Sequence, residues 1–306
     1  MRLSCLAILV ALVTLSPAAH AQYNDRAAGQ NAPKAAVSET TVDAVTGKRE
    51  THTVYKPAPR DANGNAQGNQ FDLARDGAFE GQTVAVLQFY TEGGFDFEEP
   101  RLALKAKGFS VYRWSNTAPS PEELARGLAK ANQLWIISGT TQHLNEKHLA
   151  IIKRFFDAGH GVYLWGDNPP YTGDANFVAK ALLGATMTPD AYVQGEQTVD
   201  VQTAPNKPGL RKGHLLTTGI EHLYEGHTVA TVLPNQTLEP LIVGSAGNLI
   251  AASYDRNQRR AILDGGFTRL YIKWDTAGTA RYVKNAAAWL ANAERFGPRV
   301  VAQGQR

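Results

Sequence analysis

Residues 133–166 read QLWIISGTTQHLNEKHLAIIKRFFDAGHGVYLWG, and this stretch carries the clearest indication of the fold class. Residues 133–139 and 161–166 are short apolar runs, as expected of strands that are buried on both faces of a sheet. Between them, residues 144–158 repeat apolar side chains with a helical period and end at a glycine. A strand, a helix and a second strand at this spacing predict a right-handed crossover between two parallel strands.

The same alternation continues toward the N-terminus. Residues 83–90 and 109–114 are apolar runs of strand length, separated by a helical stretch that stops at Gly108. Ser120 followed by Pro121 is a strong helix start, because serine caps the first turn and proline fits its first position. The pattern predicts a three-layer α/β sandwich with a mainly parallel sheet and helices on both faces.

The later part of the chain is less regular. Residues 198–202 and 238–243 predict strands, and residues 248–254 with 260–263 predict a late antiparallel pair. Residues 174–183 predict a helix, and residues 276–296 predict the helix that closes the domain.

The N-terminus predicts export. Residues 1–21 combine Arg2, an apolar run and the small-x-small pattern of residues 19–21, which is typical of a signal peptide cleaved near Ala21–Gln22. The apolar run has about ten residues where a bilayer span needs roughly 20. We therefore expect no membrane span in the mature chain and a periplasmic or secreted location.

Composition divides the remaining chain. Residues 22–81 are polar and poor in large apolar side chains, which predicts a largely disordered, flexible N-terminal arm or linker with a hairpin at residues 40–55. Residues 82–296 then form the α/β domain, and residues 297–306 a flexible tail.

Charge and cysteine content exclude several kinds of function. The 306 residues hold 31 Lys and Arg against 28 Asp and Glu, a net charge of +3 with no long basic run, so we expect no nucleic-acid partner. The single cysteine, Cys5, lies in the predicted signal peptide. The mature chain then has no disulfide, thiolate metal site or cysteine nucleophile.

No sequence motif indicates a cofactor or a metal. The histidine pairs His143–His148 and His222–His227 are five residues apart and would lie on different helix faces.

Ligands of parallel α/β sheets bind beyond the carboxyl ends of the strands. The loops expected there carry Glu92, Asp167 and Asp264, which are candidate catalytic acids or cation ligands. They also carry the aromatic residues Phe95, Trp165, Tyr171, Phe267 and Trp274. The predicted ligand-binding residues are Gly93, Gly94, Gly139, Thr140, Trp165, Asn168, Tyr171, Trp274 and Arg281. The structural alternative for each is an ordinary turn, cap or core residue.

The stretch 270–282 permits a second kind of site. Asp275 or Thr276 can cap the last helix, and Lys273 and Arg281 lie close in sequence, so this corner is either an anion-binding site or a capped helix with solvated cations.

Residues 144–166, a helix that ends in Ala-Gly-His-Gly before an apolar strand and a small turn, resemble part of the class I glutamine amidotransferase-like superfamily. The likeness is closest to its ThuA-like and related non-amidotransferase branches. Residues 214–220 and 285–290 are similar to the His-Pro-x-Thr-x-Gly and Asn-x-x-x-Trp-Leu stretches of such domains. The resemblance covers residues 83–293 and implies a flavodoxin-like sandwich.

The departures from that superfamily concern its chemistry. The amidotransferase branch presents a cysteine at a strand-to-helix turn and activates it with a His-x-Glu pair. Here the turn is Leu-Trp-Gly-Asp-Asn at residues 164–168, and residues 264–267 are Asp-Gly-Gly-Phe. Glutamine hydrolysis by the usual cysteine mechanism is therefore excluded.

These observations leave three functions open. The first is a non-catalytic envelope protein that binds an unknown small molecule, with sugars among the candidates, or another envelope protein. The second is a carbohydrate-active hydrolase or isomerase that uses the acidic cluster. The third is a structural interaction protein.

Overall fold

The protein is described by a computed structural model over residues 23–192, 197–274 and 277–293. Its helices are α1 Glu98–Ala106, α2 Pro121–Leu128, α3 Glu146–Asp157, α4 Gly173–Leu183 and α5 Thr279–Leu290. Its strands are β1 Lys34–Val42, β2 Arg49–Pro57, β3 Thr83–Gln88, β4 Ser110–Ser115, β5 Gln133–Ile137, β6 Gly161–Trp165, β7 Met187–Tyr192, β8 Gln197–Asp200, β9 Gly209–Leu210, β10 His222–Gly226, β11 Val229–Val232, β12 Glu239–Val243, β13 Leu249–Arg256 and β14 Arg259–Asp264.

Eight strands form one central sheet in the order β4-β3-β5-β6-β14-β13-β12-β9. The first five are parallel, and β14, β13, β12 and β9 pair antiparallel. In order of sequence the parallel strands are arranged 2-1-3-4-5, which is the flavodoxin-like order. The predicted fold class is confirmed, including the late antiparallel pair β13–β14.

The central strands are buried on both faces, which is why they read as continuous apolar runs. Alternate side chains of β5 and β6 point to opposite faces. Trp135, Tyr163 and Trp165 pack in one core layer with α1 and α5. Leu134 and Leu164 pack in the other layer with α2, α3 and α4. The last helix fills the first layer with Tyr282, Val283, Ala286, Trp289 and Leu290.

The helix starts follow their sequence signals. Ser120 caps α2 by accepting a hydrogen bond from the Glu123 amide at 3.2 Å, with Pro121 at the first position. Asn145 and His148 form a reciprocal capping box on α3, so His148 has a structural role. These caps fix where each helix begins, and hence where the preceding loop at the sheet edge must end.

The segment before β3 differs from the predicted flexible arm. Tyr23, Leu73 and Phe79 are buried in the same core layer as α1 and α5. Asp72 is also fully buried and pairs with Lys107 at 2.8 Å. The average composition of the segment does not reveal these few buried residues. They hold the segment in place because they are buried in a core that other elements provide. The hairpin exists but is longer than residues 40–55, since β1 and β2 together extend from residue 34 to residue 57.

Several predictions fall on residues that the structure does not describe. These are the signal peptide with Cys5, the cleavage site, the tail at 297–306 and the capping residues Asp275 and Thr276. The described N-cap of α5 is Gly278, in the left-handed region at φ 64°. Within the described ranges, no helix combines the length and apolar character that a membrane crossing requires.

Candidate functional site

The order of the parallel strands places a crevice at their carboxyl ends. The connection from β3 leads to β4 on one side of the sheet, and the connection from β5 leads to β6 on the other side. The loops after β3 and β5 therefore diverge, and ligands of this fold class bind at such a point. The loop after β5 approaches the loop after β3 closely, because a Cβ at Gly139 would lie only 2.8 Å from the Phe89 carbonyl oxygen. Glycine at this position therefore allows the two loops to lie side by side.

The turn after β6 holds Asp167 at the carboxyl end of the parallel sheet. Gly166 fixes this turn on the sheet: its amide donates to the Asp264 carbonyl at 2.8 Å, and its carbonyl accepts from the Phe267 amide at 3.1 Å. The Asp167 amide donates to the Tyr171 carbonyl at 3.0 Å, which closes residues 167–171 into a compact turn. The sequence forms a carboxylate-bearing elbow with no thiol.

Asp167 is an unpaired acid in a buried position. Its carboxylate accepts hydrogen bonds from the Asn168 amide at 2.7 Å and the Thr268 amide at 3.2 Å. No Lys, Arg or His forms an ion pair with it in the part of the chain that the structure describes. Burial raises the pKa of Asp167 to about 7, although the hydrogen bonds to its carboxylate partly oppose this. Near neutral pH this side chain therefore exists in both protonation states.

Asp264 is fully engaged inside the protein. Its carboxylate pairs with Arg269 at 2.6 Å and accepts hydrogen bonds from the hydroxyls of Tyr163 at 3.0 Å and Tyr282 at 3.1 Å. The Gly266 amide donates to its other oxygen at 3.0 Å. Asp264 and Arg269 are both fully buried, so this ion pair has no open side for a ligand.

The predicted cluster of three acids does not form. Asp264 points into the core layer of α5, while Glu92 is exposed and lies at Tyr171. Backbone periodicity cannot reveal this, because it does not show which acids will find a buried partner. No group of three or more His, Cys, Asp or Glu side chains within the described ranges is arranged to hold a metal ion.

Three tyrosines cover the elbow instead. Tyr90, at the end of β3, shares a hydrogen bond with the Tyr271 hydroxyl at 2.7 Å, and its ring meets the Tyr171 ring edge-on at 5.3 Å. Phe267 lies against both, with ring centroids 4.8 Å from Tyr90 and 6.0 Å from Tyr171. Phe95 stacks on Tyr271 at 4.9 Å. We call Tyr90, Tyr171 and Tyr271 the tyrosine cluster.

Tyr171 and Tyr271 remain protonated near neutral pH. Burial and the hydrogen bond with Tyr90 raise the pKa of Tyr271 well above its usual value. Partial burial raises the pKa of Tyr171, and Glu92 and Tyr90 raise it further. The charge of Asp167 contributes to both shifts, so the elbow carboxylate lies close to these phenols. Neutral phenol hydroxyls can both donate and accept hydrogen bonds.

A cleft opens on the outer side of this cluster. It has a volume of about 360 Å³ and lies between residues 93–100 and the pair Leu270–Tyr271. Gly93 has φ 62°, and a Cβ there would lie 3.3 Å from the Tyr271 ring. Glycine thus suits both the left-handed turn and the close approach to the ring. Gly93 and Gly94, two of the predicted ligand residues, both line this cleft.

The other predicted ligand residues are distributed differently. Asn168 lies beside Asp167 in the elbow, and exposed Thr140 with buried Gly139 belongs to the loop after β5. Trp165 is in the core, stacked on Tyr163 at 4.1 Å, and Trp274 is also buried. Strand alternation explains the position of Trp165, because residues 163 and 165 point to the same face.

Arg281 does not form an anion-binding corner. Its guanidinium donates to Asp72 at 2.6 Å, to the Gly219 carbonyl at 2.9 Å and to the Gly68 carbonyl at 3.0 Å. Its guanidinium is therefore used inside the protein and is not available to bind an anion. Arg281 is also not solvated in the way that the capped-helix alternative expected, because it contacts the N-terminal segment.

Sequence reasoning missed Tyr90 and Tyr271 as site residues. An aromatic side chain at the carboxyl end of a buried strand was a usable signal for Tyr90, but the same residue type is equally common in cores. Tyr271 is the C-cap of a short 3-10 helix at residues 267–270. So short an element has no repeating pattern of apolar residues from which it could be predicted.

No protein-family model matches the chain, and no curated protein matches it. Solved structures that are similar to this chain include the following three. A ThuA-like protein from Parabacteroides merdae has 8% identity and a TM-score of 0.43, covering 69% of this chain and 89% of that chain. A GMP synthase-like protein from Thermoplasma acidophilum has 8% identity and a TM-score of 0.42, covering 70% and 96%. The glutaminase domain of Trypanosoma brucei CTPS has 7% identity and a TM-score of 0.35, covering 70% and 94%.

These structures have class I glutamine amidotransferase-like folds, and the ThuA-like protein is of the branch that the sequence resembles. Because the TM-scores are below 0.5, the fold class of this chain rests on its own strand order and parallel crossovers.

Proposed function

We propose that this protein is an exported binding protein of the cell envelope, which holds a small neutral molecule at the tyrosine cluster and performs no chemistry on it. The main supporting observation is that Asp264 is enclosed by Arg269 and two tyrosines. A mechanism that uses the carboxylate of Asp264 would therefore have no free acid at that position. The turn that bears Asp167 also offers no nucleophilic thiol.

The chemistry of the cluster favours a sugar or another polyhydroxyl compound. Tyr271 lines the cleft together with the acidic residues Asp96, Glu98 and Glu99, so hydrogen-bonding groups lie beside an aromatic ring. An apolar ring face next to polar groups matches a sugar, which has C–H faces edged by hydroxyls. The cleft volume of about 360 Å³ lies within the usual range of small-molecule sites.

Calorimetric titration and thermal melting test this proposal with a panel of glucose, galactose, mannose, maltose and trehalose. Binding of one sugar should raise the melting temperature, because only a ligand of the native state stabilises it. Tyr271→Phe keeps the ring and removes one hydroxyl, so affinity should fall roughly tenfold, in line with one lost hydrogen bond in a partly buried site. Tyr112→Phe, on an exposed tyrosine of β4, is the matched control.

Two results would contradict the proposal. If no sugar binds, the ligand class is wrong. If a bound sugar is converted, and Asp167→Asn abolishes conversion while binding persists, the protein is an enzyme and the non-catalytic assignment fails. Export is tested separately by N-terminal sequencing of protein from the periplasm or medium, which should start at Gln22.

A further inference from the structure

A second groove lies far from the tyrosine cluster in sequence, beside the N-terminal hairpin. It has a volume of about 450 Å³ and lies between the first three residues of β1 and the segments 24–27 and 70–75. Phe71, Ala27 and Ala35 give it apolar walls, and Phe71 is buried against Ala58 and Ala66 at the base of the hairpin. We call this feature the hairpin groove.

The hairpin groove is positively charged. Arg26, Lys34 and Arg75 line it, and no Asp or Glu is among the lining residues. Within the described ranges none of these three cations forms an ion pair. Of the nearby acids, Asp72 and Asp76 pair with Lys107, and Asp25 is exposed next to Arg26 in the sequence. Three cations beside an apolar wall favour an anionic partner with some apolar surface.

The backbone of β1 presents an open strand edge to this groove. The Ala58 amide donates to the Pro33 carbonyl, and the Asp43 amide to the Lys48 carbonyl. Both bonds join residues that lie directly opposite each other in the register of the hairpin. Because hydrogen-bonded and non-bonded pairs alternate in an antiparallel ladder, the odd-numbered residues of β1 are the ones that hydrogen-bond to β2. The N–H and C=O groups of Lys34 and Ala36 therefore point away from β2, and both residues line the groove. Such an edge is a template for a further strand.

The rest of this chain does not suit the groove by charge. Residues 294–306 carry three arginines and a single glutamate. The hairpin of a second copy, residues 34–57, carries four Lys and Arg against three Asp and Glu. Either occupant would bring net positive charge to a positive groove, which is unfavourable.

We propose that the hairpin groove binds an extended acidic segment of a partner protein, which adds to β1 as a third strand. Backbone hydrogen bonds to Lys34 and Ala36 supply affinity that does not depend on sequence, and Arg26, Lys34 and Arg75 select for carboxylates. Apolar side chains of the segment pack on Phe71. This interaction is independent of the sugar site, because no lining residue is shared.

Fluorescence anisotropy of the full mature chain tests this, with a labelled peptide of alternating glutamate and threonine as the probe. A lysine-threonine peptide of equal length is the charge control. The acidic peptide should bind and the basic one should not, and binding should weaken with added salt. Reversing two cations, Arg26→Glu with Arg75→Glu, should lower the affinity at least about tenfold. Lys48→Glu, at the far end of the hairpin, should have little effect.

Ala36→Pro separates strand addition from simple charge attraction. Proline removes the outward N–H without breaking a bond to β2, so the hairpin persists while peptide affinity should fall several-fold. Thr40→Pro removes an outward N–H outside the groove and is the matched control. Unchanged affinity in Ala36→Pro would overturn strand addition, and equal binding of the two peptides would overturn the charge preference. A dimer of the free protein that Ala36→Pro dissolves would show a second copy in the groove instead.

Discussion

Replacing Asp167 with asparagine should stabilise the protein at neutral and alkaline pH. The carboxyl has a pKa of about 7 in the folded protein, against an ordinary value of 3.8, because burial disfavours its charged form. The folded state therefore binds this proton more tightly than the unfolded chain does. Its contribution to stability is present below pH 3.8 and is lost as the pH rises through 7.

The size of the effect follows from the shift. A difference of about 3 pKa units corresponds to roughly 4 kcal/mol, which is the most that ionisation of Asp167 can cost the native state. An asparagine avoids this cost but accepts only one of the two amide hydrogen bonds well, which gives back about 1 kcal/mol. We expect Asp167→Asn to be more stable by about 3 kcal/mol at pH 8, with little or no gain near pH 4.

Urea unfolding of both proteins at a series of pH values measures this. The stability difference should grow by about 2–3 kcal/mol between pH 5 and pH 8. Asp157→Asn is a control of opposite sign, because hydrogen bonding to Lys153 and Arg259 lowers the pKa of that exposed carboxyl. A difference for Asp167→Asn that stays constant with pH would refute the assignment of Asp167 as a buried acid with a raised pKa.

Three further changes test other parts of the structure. Burial and two nearby arginines lower the pKa of His214 to about 4, so its contribution to stability is present above pH 6.5 and is lost as the pH falls toward 4. In urea titrations, His214→Asn should therefore lose roughly 3 kcal/mol less stability over this pH range than the unchanged protein does. Lys107→Met should cost about 3–5 kcal/mol and expose residues 58–81 to limited proteolysis, whereas Lys105→Met on the exposed side of α1 should not. Gly139→Ala should lower stability by about 1–3 kcal/mol, because its Cβ meets backbone. Gly166→Ala should cost less in the same melting assay, since the nearest contact is the flexible end of Met187.

The close charges around Asp72 explain why the N-terminal segment is part of the domain. Burial alone would raise the pKa of Asp72, but Lys284, Lys107 and Arg281 together outweigh it and lower the pKa. Asn285 adds a hydrogen bond from the Leu73 amide at 2.8 Å. The segment is thus held by helix α5 and by the residue that follows α1.

Local sequence patterns were enough to predict the layers of the α/β sandwich. Strands β3, β5 and β6 are buried on both faces and helices α2 and α3 carry caps, so local patterns of apolarity and capping were sufficient to place them. The missing cysteine and His-x-Glu pair likewise excluded one chemistry without any coordinates.

Which side chains share a site depends on tertiary contacts that these local patterns do not contain. Glu92, Asp167 and Asp264 look equivalent in sequence, since each follows a strand. Their roles diverge because Asp264 meets Arg269 in the core, whereas Asp167 is buried with no cation. A local pattern records which face a residue occupies, but the partner that neutralises a buried charge comes from residues distant along the chain or from turns without periodicity.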